Sequence, residues 1–563
     1  MIEIKVPMIP GKKPSVVGKI DVTVGDVVSK GDSLCQVETA KGNRDIKANV
    51  NGVVNKILFE EGDEVSSNDV IILIDENLNN NHTNKSKNIE DNKKIVIKKS
   101  TKNKVQKDLL VIGAGPGGYV AAIYAAKRGL DVALVEKGEL GGTCLNVGCI
   151  PTKSLVESAH HLDSIKEMDL FGINIDKNVT VDIEKVIKRK ENVVETLVSG
   201  VEYLISKNNI ELFRGNCSFI DDKNVEVNDT VVEAKNIIIA TGSVANELKV
   251  EGYDLEGVID STEALNIHEV PKSLVVIGGG VIGLEFAFIY NSFGSKVHVI
   301  EYQDTLLPML DSDCGIEIKK TALQKGISID VSSKVVGIKE TVEKTYIVTF
   351  EEDGKNYSTV ADKVLMSTGR KANIEGLGLE NTSIKINERT NSIIVDEFRK
   401  TNLDNIYAIG DVSSRLKLAH LASHEAMIAV DHILGEERKL LDTDIPSVVY
   451  TKPEIAVVGY SEEDLKEKNI DYKVSRFDFT ANGKALTMNQ NSGFIKIMGN
   501  EKGEILGCVI IGPDASSLIS SITIAMKNKI TIEELTHTVF AHPTTAEVIH
   551  EACLNFLQRG VHM

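Results

Sequence analysis

Several things are scarce in this chain, and each scarcity narrows what it can do. No run approaches the ~18 consecutive apolar residues that a membrane-spanning helix requires, and the start MIEIKVPMIP has neither a basic segment nor a long apolar one. We therefore expect neither a membrane span nor an export signal. Basic residues are outnumbered 64 to 82, so the positive field that nucleic acid demands is missing. Only seven cysteines occur in 563 residues, too few and too scattered for a disulfide framework, which points to the cytoplasm. Cys144 and Cys149 alone lie close together; Cys35, Cys217, Cys314, Cys508 and Cys553 are expected as small buried hydrophobes.

What is present is enough for several domains, since one hydrophobic core cannot serve a chain of this length. Residues 1–76 are rich in Val and Ile broken by Gly-Asp pairs, which predicts short strands and tight turns. They also repeat: Gly25-Asp26, Val28 and Asp32 recur at the same spacing as Gly62-Asp63, Val65 and Asp69. Two such half-units predict a small flattened barrel with quasi-twofold symmetry. Between them Glu38-Thr39-Ala40-Lys41-Gly42 predicts a hairpin presenting Lys41. Residues 77–107 turn to Asn, Lys and Ser and predict a flexible linker, with Ile95-Val96-Ile97 its one apolar exception.

From Asp108 onward short apolar strands alternate with longer helical stretches, the pattern of α/β architecture. One unit occurs twice, as DLLVIGAGPGGYVAAIYAAKRGLDVALVEK and SLVVIGGGVIGLEFAFIYNSFGSKVHVIEY. Gly113, Gly115 and Gly118 with Glu136 in the first copy match Gly278, Gly280 and Gly283 with Glu301 in the second. The first glycine of each set permits a tight turn, the second lets a pyrophosphate approach the backbone, and the third packs helix on strand. A helix N-terminus then offers free N–H groups to phosphate. The acidic residue accepts hydrogen bonds from a ribose hydroxyl and repels a 2′-phosphate, so Glu301 favours NAD over NADP. A lone glycine motif is weak evidence; two in matching contexts imply two dinucleotides.

GGTCLNVGCIPTK places Cys144 and Cys149 five residues apart. In an ideal helix that separates their α carbons by about 7.5 Å along the axis, beyond the ~7 Å reach of a disulfide. The segment must be distorted if the two are to bridge, and Gly141, Gly142 and Gly148 make this possible. A metal site is the rival, but no second Cys or His pair at ligand spacing lies nearby.

CLNVGCIPTK resembles the redox-active segment of the pyridine nucleotide-disulfide oxidoreductases, in the version found in dihydrolipoamide dehydrogenases. The resemblance runs from Asp108 to Leu557. It implies that Cys144 exchanges with a dithiol substrate, that Cys149 lies against the flavin, and that Lys153 stands beside the flavin N5 paired with Glu285. ATGS at 240–243, STGR at 367–370 and TNLDNIYAIGDV follow in the family's order. By the same likeness FAD is held by the first glycine turn with Glu136, Lys137, Gly142, Thr143, Lys153, Gly215, Thr241, Gly242, Ser243 and Asp411. Lys417, Leu418, Ala419 and His420 line its ring. NAD meets the second turn with Val281, Ile282, Glu285, Glu301 and Gly369.

AHPTTAEVIHEACLNFL near the end supplies a base. Thiol–disulfide exchange needs a thiolate, and a histidine titrates in the useful range. His542 with Glu547 resembles the family's catalytic dyad, the glutamate orienting the imidazole. The family builds each site from two subunits, which implies a homodimer. The N-terminal half-barrel resembles lipoyl domains, with Lys41 as the attachment lysine. Biotinyl domains share that fold but flank their lysine with Met, whereas Ala40 and Gly42 stand here.

The resemblance thus implies a multidomain α/β flavoprotein with two Rossmann-like domains, an α+β dimerisation domain and an all-β lipoyl domain on a linker. The expected segments after the linker are 108–255 for FAD, 256–374 for NAD, 375–443 for a central domain and 444–563 for dimerisation. Its implied role is that of the E3 component of a 2-oxo acid dehydrogenase, acetoin or glycine-cleavage complex, docking on an E2-type core and its lipoyl domains. A glutathione-reductase-like chain would use NADP, against Glu301. A mercuric-reductase-like chain would end in a cysteine pair, where this one ends QRGVHM. A mere carrier would not need Cys144, Cys149 and His542 together.

Overall fold

The structure, a computed structural model, describes residues 2–5, 15–24, 26–39, 42–59, 61–65, 70–75, 103–175 and 179–562. The chain forms two units divided between residues 99 and 100.

The first unit holds two antiparallel four-stranded sheets. One orders its strands Ile2–Lys5, Val70–Asp75, Gly52–Ile57, Val27–Val28; the other orders Gly42–Lys47, Ser33–Thr39, Ser15–Ile20, Glu64–Val65. Strands at 15–20, 27–28 and 33–39 recur at 52–57, 64–65 and 70–75, so the sequence repeat becomes an exchange of equivalent strands between sheets. Val17, Leu34, Val37, Val54, Ile72 and Ile74 fill the space enclosed. The Gly-Asp signal works through the aspartate: Asp26 Oδ2 accepts the Thr23 N–H at 2.7 Å, and Asp32 Oδ2 the Ser29 N–H at 2.8 Å. The hairpin closes at the pairing of Thr39 with Gly42. Ala40 and Lys41 lie outside the described residues, as do Gly25, Asp69 and Ile95-Val96-Ile97.

The second unit opens on a strand that begins earlier than expected. Asn103–Ile112 starts inside the segment expected to be a linker, and Asn103 to Lys107 pair in register with Thr230 to Ala234. The polar run disguised it because this half of the strand is mostly exposed, with Lys107 held by Asp131 at 2.9 Å and Glu211 at 2.8 Å. The strands Glu211–Arg214, Val132–Glu136, Asn103–Ile112, Thr230–Ile239 and Ile406–Ala408 form a parallel sheet. A second parallel sheet orders Val258–Ile259, Lys363–Met366, Ser273–Ile277, Lys296–Ile300 and Ser328–Asp330. In each, the first strand of the repeated unit leads through the glycine turn into a helix, Pro116–Lys127 or Val281–Phe293. The ribbon of Ser243–Ala245 against Arg370–Ala372 carries the chain out of the first sheet and back.

The C-terminal part is a five-stranded antiparallel sheet ordered Ser447–Val449, Glu454–Gly459, Ile505–Gly512, Phe494–Gly499, Lys473–Asp478. Helices Ala515–Lys527 and Glu547–Phe556 bury Leu518, Ile519, Ile522, Val548, Ile549 and Ala552 in its core. Cys35, Cys314, Cys508 and Cys553 are buried as expected, but Cys217 is half-buried, on a three-residue strand at the edge of its sheet. No helix among the described residues is long and apolar enough to cross a membrane.

The C-terminal sheet is fastened to the second parallel-sheet domain by charge. Lys496, 3 % exposed on the strand Phe494–Gly499, donates to Asp311 and Asp313 at 2.6 Å each. Asp311, 2 % exposed, caps the helix Ser312–Gln324. Removing one partner of such a pair strands a buried charge, so Lys496→Met is expected to destabilise the second unit by about 3–5 kcal/mol in chemical unfolding. Lys496→Met with Asp311→Asn, which removes the charge and keeps the helix cap, should recover most of that loss.

Candidate functional site

Each glycine turn ends a parallel strand and opens a helix. A Cβ on Gly113, whose φ is +99°, would lie 2.5 Å from the Ala240 carbonyl oxygen, and one on Gly118 would lie 1.7 Å from that of Gly113. Gly278, at φ +109°, and Gly283 repeat this against the carbonyl oxygens of Ser367 at 2.6 Å and Gly278 at 2.0 Å. At Gly115 and Gly280 a Cβ would meet nothing within 4 Å. These two residues are the N-caps of the helices, and neither helix is capped by a side chain. The first-turn N–H groups, those of Val281 and Ile282 included, can therefore face an anion, as a pyrophosphate site requires.

Glu136 and Glu301 have a job the sequence did not reveal. Glu136 accepts the Ala114 N–H at 2.7 Å and the Gly138 N–H at 2.8 Å. Glu301 accepts the Gly279 N–H at 2.5 Å and the Gln303 N–H at 2.7 Å. Each carboxylate pins its own glycine turn, and its remaining lone pairs leave capacity for a ribose hydroxyl.

Cys144 lies in the short helix Gly142–Asn146, and Cys149 opens the helix Cys149–Lys166. Between them Val147 (φ −140°, ψ 24°) and Gly148 (φ −141°, ψ −116°) leave helical space, which is the distortion that the five-residue spacing demands. A Cβ on Gly148 would sit 2.8 Å from the Thr143 carbonyl oxygen, and one on Gly142 2.7 Å from the Gly115 α carbon. The short helix that carries the first cysteine is thus seated directly on the first glycine turn. Both cysteines are free and half-buried. The Cys144 thiol donates to the Cys149 sulfur, and this bond together with the Lys153 charge overcomes burial and brings Cys149 down to about 7. Cys144, as the donor, is pushed well up.

Lys153 stands one helical turn beyond Cys149, and its Nζ donates to the Glu285 oxygens at 2.9 and 3.0 Å. Glu285 is 3 % exposed on the helix Val281–Phe293. The predicted pair therefore spans the two parallel-sheet domains.

Asp411 gathers the remaining landmarks. The Ser243 hydroxyl donates to it at 2.5 Å, and Lys417 Nζ reaches its backbone oxygen at 3.2 Å. Leu418 and Ala419 start the helix Ala419–Ile433, and His420 Nε2–H donates to the Pro446 carbonyl at 2.8 Å. Thr241 Oγ1 donates to the Asn373 carbonyl at 2.7 Å, and the carbonyls of Gly242 and Gly369 accept from Asn373 at 3.0 Å and Asn246 at 2.9 Å. The Gly215 N–H donates to the Glu136 carbonyl at 2.9 Å, whereas Lys137 is exposed.

His542 Nδ1–H donates to Glu547 Oε1 at 2.9 Å, and the Thr544 N–H to Glu547 Oε2 at 3.0 Å. Burial works against the Glu547 charge, but these two bonds hold its carboxyl below the usual range. The His542 side chain is 78 % exposed. Among the described residues no hydrogen bond or ion pair joins it to either cysteine of the same chain.

The model of the pyridine nucleotide-disulphide oxidoreductases matches residues 107–426, and that of their dimerisation domain residues 445–553. The chain belongs to the pyridine nucleotide-disulphide oxidoreductase family. Residues 2–74 match the biotin/lipoyl model, described as biotin-requiring enzyme. The chain is 41 % identical over 460 residues to a dihydrolipoyl dehydrogenase of Bacillus subtilis, covering 81 % of this chain and 99 % of that one. It is also 41 % identical over 464 residues to the enzyme of that name from Geobacillus stearothermophilus, covering 82 % and 98 %. Among solved structures it resembles the HOCl-induced flavoprotein disulfide reductase RclA from Escherichia coli, with TM-score 0.71 and 29 % identity over 80 % of this chain and 99 % of that one.

Three residues of this oxidoreductase escaped sequence reasoning. Arg370 donates to the Ser243 hydroxyl and carbonyl at 2.7 Å each, fixing the donor that holds Asp411. Glu425, fully buried, accepts the Gly410 N–H at 2.6 Å and the Ser414 hydroxyl, tying the Asp411 turn to the helix Ala419–Ile433. Burial pushes its carboxyl above the usual range. Tyr450 donates its N–H to Glu285 at 3.0 Å. A buried Glu inside an apolar helical run was the one available signal for Glu425; Tyr450 had none.

In the reduced protein, Cys149 is expected to be mostly thiolate above pH about 7 and to lose that charge as pH falls through it. Cys144→Ala removes the largest stabilising contact, so the midpoint of the ultraviolet thiolate absorbance should rise. An unmoved midpoint would show that Cys144 does not donate to Cys149.

Proposed function

We propose that the chain is a dihydrolipoyl dehydrogenase that carries its own lipoyl domain and uses Cys144, Cys149, FAD and NAD+ to oxidise protein-bound dihydrolipoamide. The observation that carries this reading is the cysteine pair held on the first glycine turn and wired through Lys153 and Glu285 to the helix of the second. Both open cradles, at Gly115 and Gly280, suit a dinucleotide pyrophosphate, and the Glu301 carboxylate suits NAD. The relatives at about two-fifths identity bear the name of this activity.

In the oxidised pair, one substrate sulfur attacks Cys144, breaking its bond to Cys149 and forming a mixed disulfide. The second substrate sulfur then closes lipoamide and releases Cys144 as a thiol. Cys149 keeps the charge as thiolate, matching the asymmetry of the pair. His542 takes the proton of the first attacking thiol and the proton of the second goes to the departing Cys144 sulfur, so that one proton is left on His542, with Glu547 fixing its tautomer so that Nε2 faces outward. FAD, when bound, supplies the two-electron acceptor between the pair and NAD+.

An exposed base is explained by assembly: the chain acts as a homodimer, and the dimerisation domain of one protomer offers His542 to the cysteines of its partner. The dimer works in the cytoplasm on the E2-type core of a 2-oxo acid dehydrogenase-type complex. Lys41 carries the lipoyl group.

His542→Ala is expected to lower dihydrolipoamide-dependent NAD+ reduction by about 10²–10⁴-fold while the purified dimer keeps its flavin colour. Absence of that activity in the wild-type protein would sink the reading. Intact-mass analysis from cells able to lipoylate proteins should show one lipoyl adduct, lost in Lys41→Arg; an unmodified wild-type chain would remove Lys41 from the scheme.

A further inference from the structure

We propose that Tyr450 is a positioning residue for the cysteine pair: its ring holds the Lys153 ammonium and its backbone N–H holds Glu285, so the C-terminal sheet sets the charge beside Cys149. The inference rests on the reading of Cys144 and Cys149 as the reacting pair.

The Lys153 Nζ lies 4.5 Å from the centre of the Tyr450 ring, within cation–π range, and 2.9 Å from Glu285 Oε1. The same Glu285 oxygen accepts the Tyr450 N–H at 3.0 Å. One residue of the C-terminal domain thus touches both members of the ion pair. With its side chain 31 % exposed, Lys153 could otherwise swing on its flexible stem into water. The ring limits that swing and shields one side of the ammonium.

Tyr450 is itself fixed. It follows the strand Ser447–Val449 and packs against the core cluster that includes Leu155 and Leu284. Thr451, 1 % exposed, donates its hydroxyl to the Pro453 carbonyl at 2.7 Å just beyond. Among the described residues the charged and titratable groups facing Cys149 are Cys144, Lys153, Glu285 and the Tyr450 phenol itself. Of these only Lys153 adds positive charge, so its position sets how much charge supports the thiolate beside the Cys144 hydrogen bond.

Substitution separates the two contacts, because every residue but proline keeps the N–H to Glu285 while only an aromatic ring holds the ammonium. The experiment uses the full-length flavin-loaded protein, reduced, and follows ultraviolet thiolate absorbance against pH with Cys149→Ser as the blank. Tyr450→Leu is expected to raise the Cys149 midpoint by about half a unit, which halves the thiolate fraction near pH 7. Tyr450→Met should match it should Tyr450→Leu fold poorly, and Tyr450→Phe should restore the wild-type curve. In a Lys153→Met background Tyr450→Leu should add nothing. An unmoved midpoint in Tyr450→Leu and Tyr450→Met, or an equal shift without Lys153, overturns this inference alone. A wild-type protein with no Cys149 thiolate titrating near neutrality overturns both it and the reading on which it rests.

Discussion

Glu285 is almost wholly inside the protein, and a carboxylate in such a place must be satisfied from nearby or it will be very costly. It is satisfied by Lys153 from one domain and the Tyr450 N–H from another. Losing either would leave buried charge uncompensated, so three domains are held in one arrangement. The helix that bears Glu285 begins at the second glycine turn, and the helix that bears Lys153 begins at Cys149. Gly142, four residues ahead of Asn146 in the Cys144 helix, rests on Gly115 of the first turn. A continuous line of close contacts therefore joins the two dinucleotide turns through the cysteines.

The two turns are built alike down to the carboxylate that accepts their N–H groups. Glu136 ends the second strand of its unit, Glu301 follows directly on its own, and each folds back on the residue that follows the first glycine. This use of the acidic residue constrains the loop before any sugar arrives. A polar replacement at either position would disturb the loop as well as the preference for a hydroxyl over a phosphate.

Much of this was legible in the linear sequence because it was carried by local spacing. The glycine sets, the repeated strand–turn–helix units, the cysteine pair with its glycines and the barrel repeat all declare themselves within about thirty residues, the scale of one supersecondary unit. The Lys153–Glu285 pair and the His542–Glu547 bond were found through family likeness, and the structure places both pairs in hydrogen-bonding contact. Arg370 and Tyr450 were not found, since their partners lie far along the chain and nothing in their neighbours marks them, and Glu425 was passed over although it stands inside an apolar helical run. The start of the strand Asn103–Ile112 was missed for a different reason: residues whose backbone is paired but whose side chains face water look like linker by composition.

The barrel's pairing settles which ends of the small domain are opposed. Ser33 pairs with Lys47, and only five residues further on Gly52 begins the strand whose Val53 pairs with Asp75. Asp75, the last residue of the barrel's final strand, is thus at the Ser33 pole, while the Thr39–Gly42 closure is at the other end of a seven-residue strand. That strand is about 20 Å long. The hairpin closure is therefore presented at the end of the barrel opposite the one where its last strand stops.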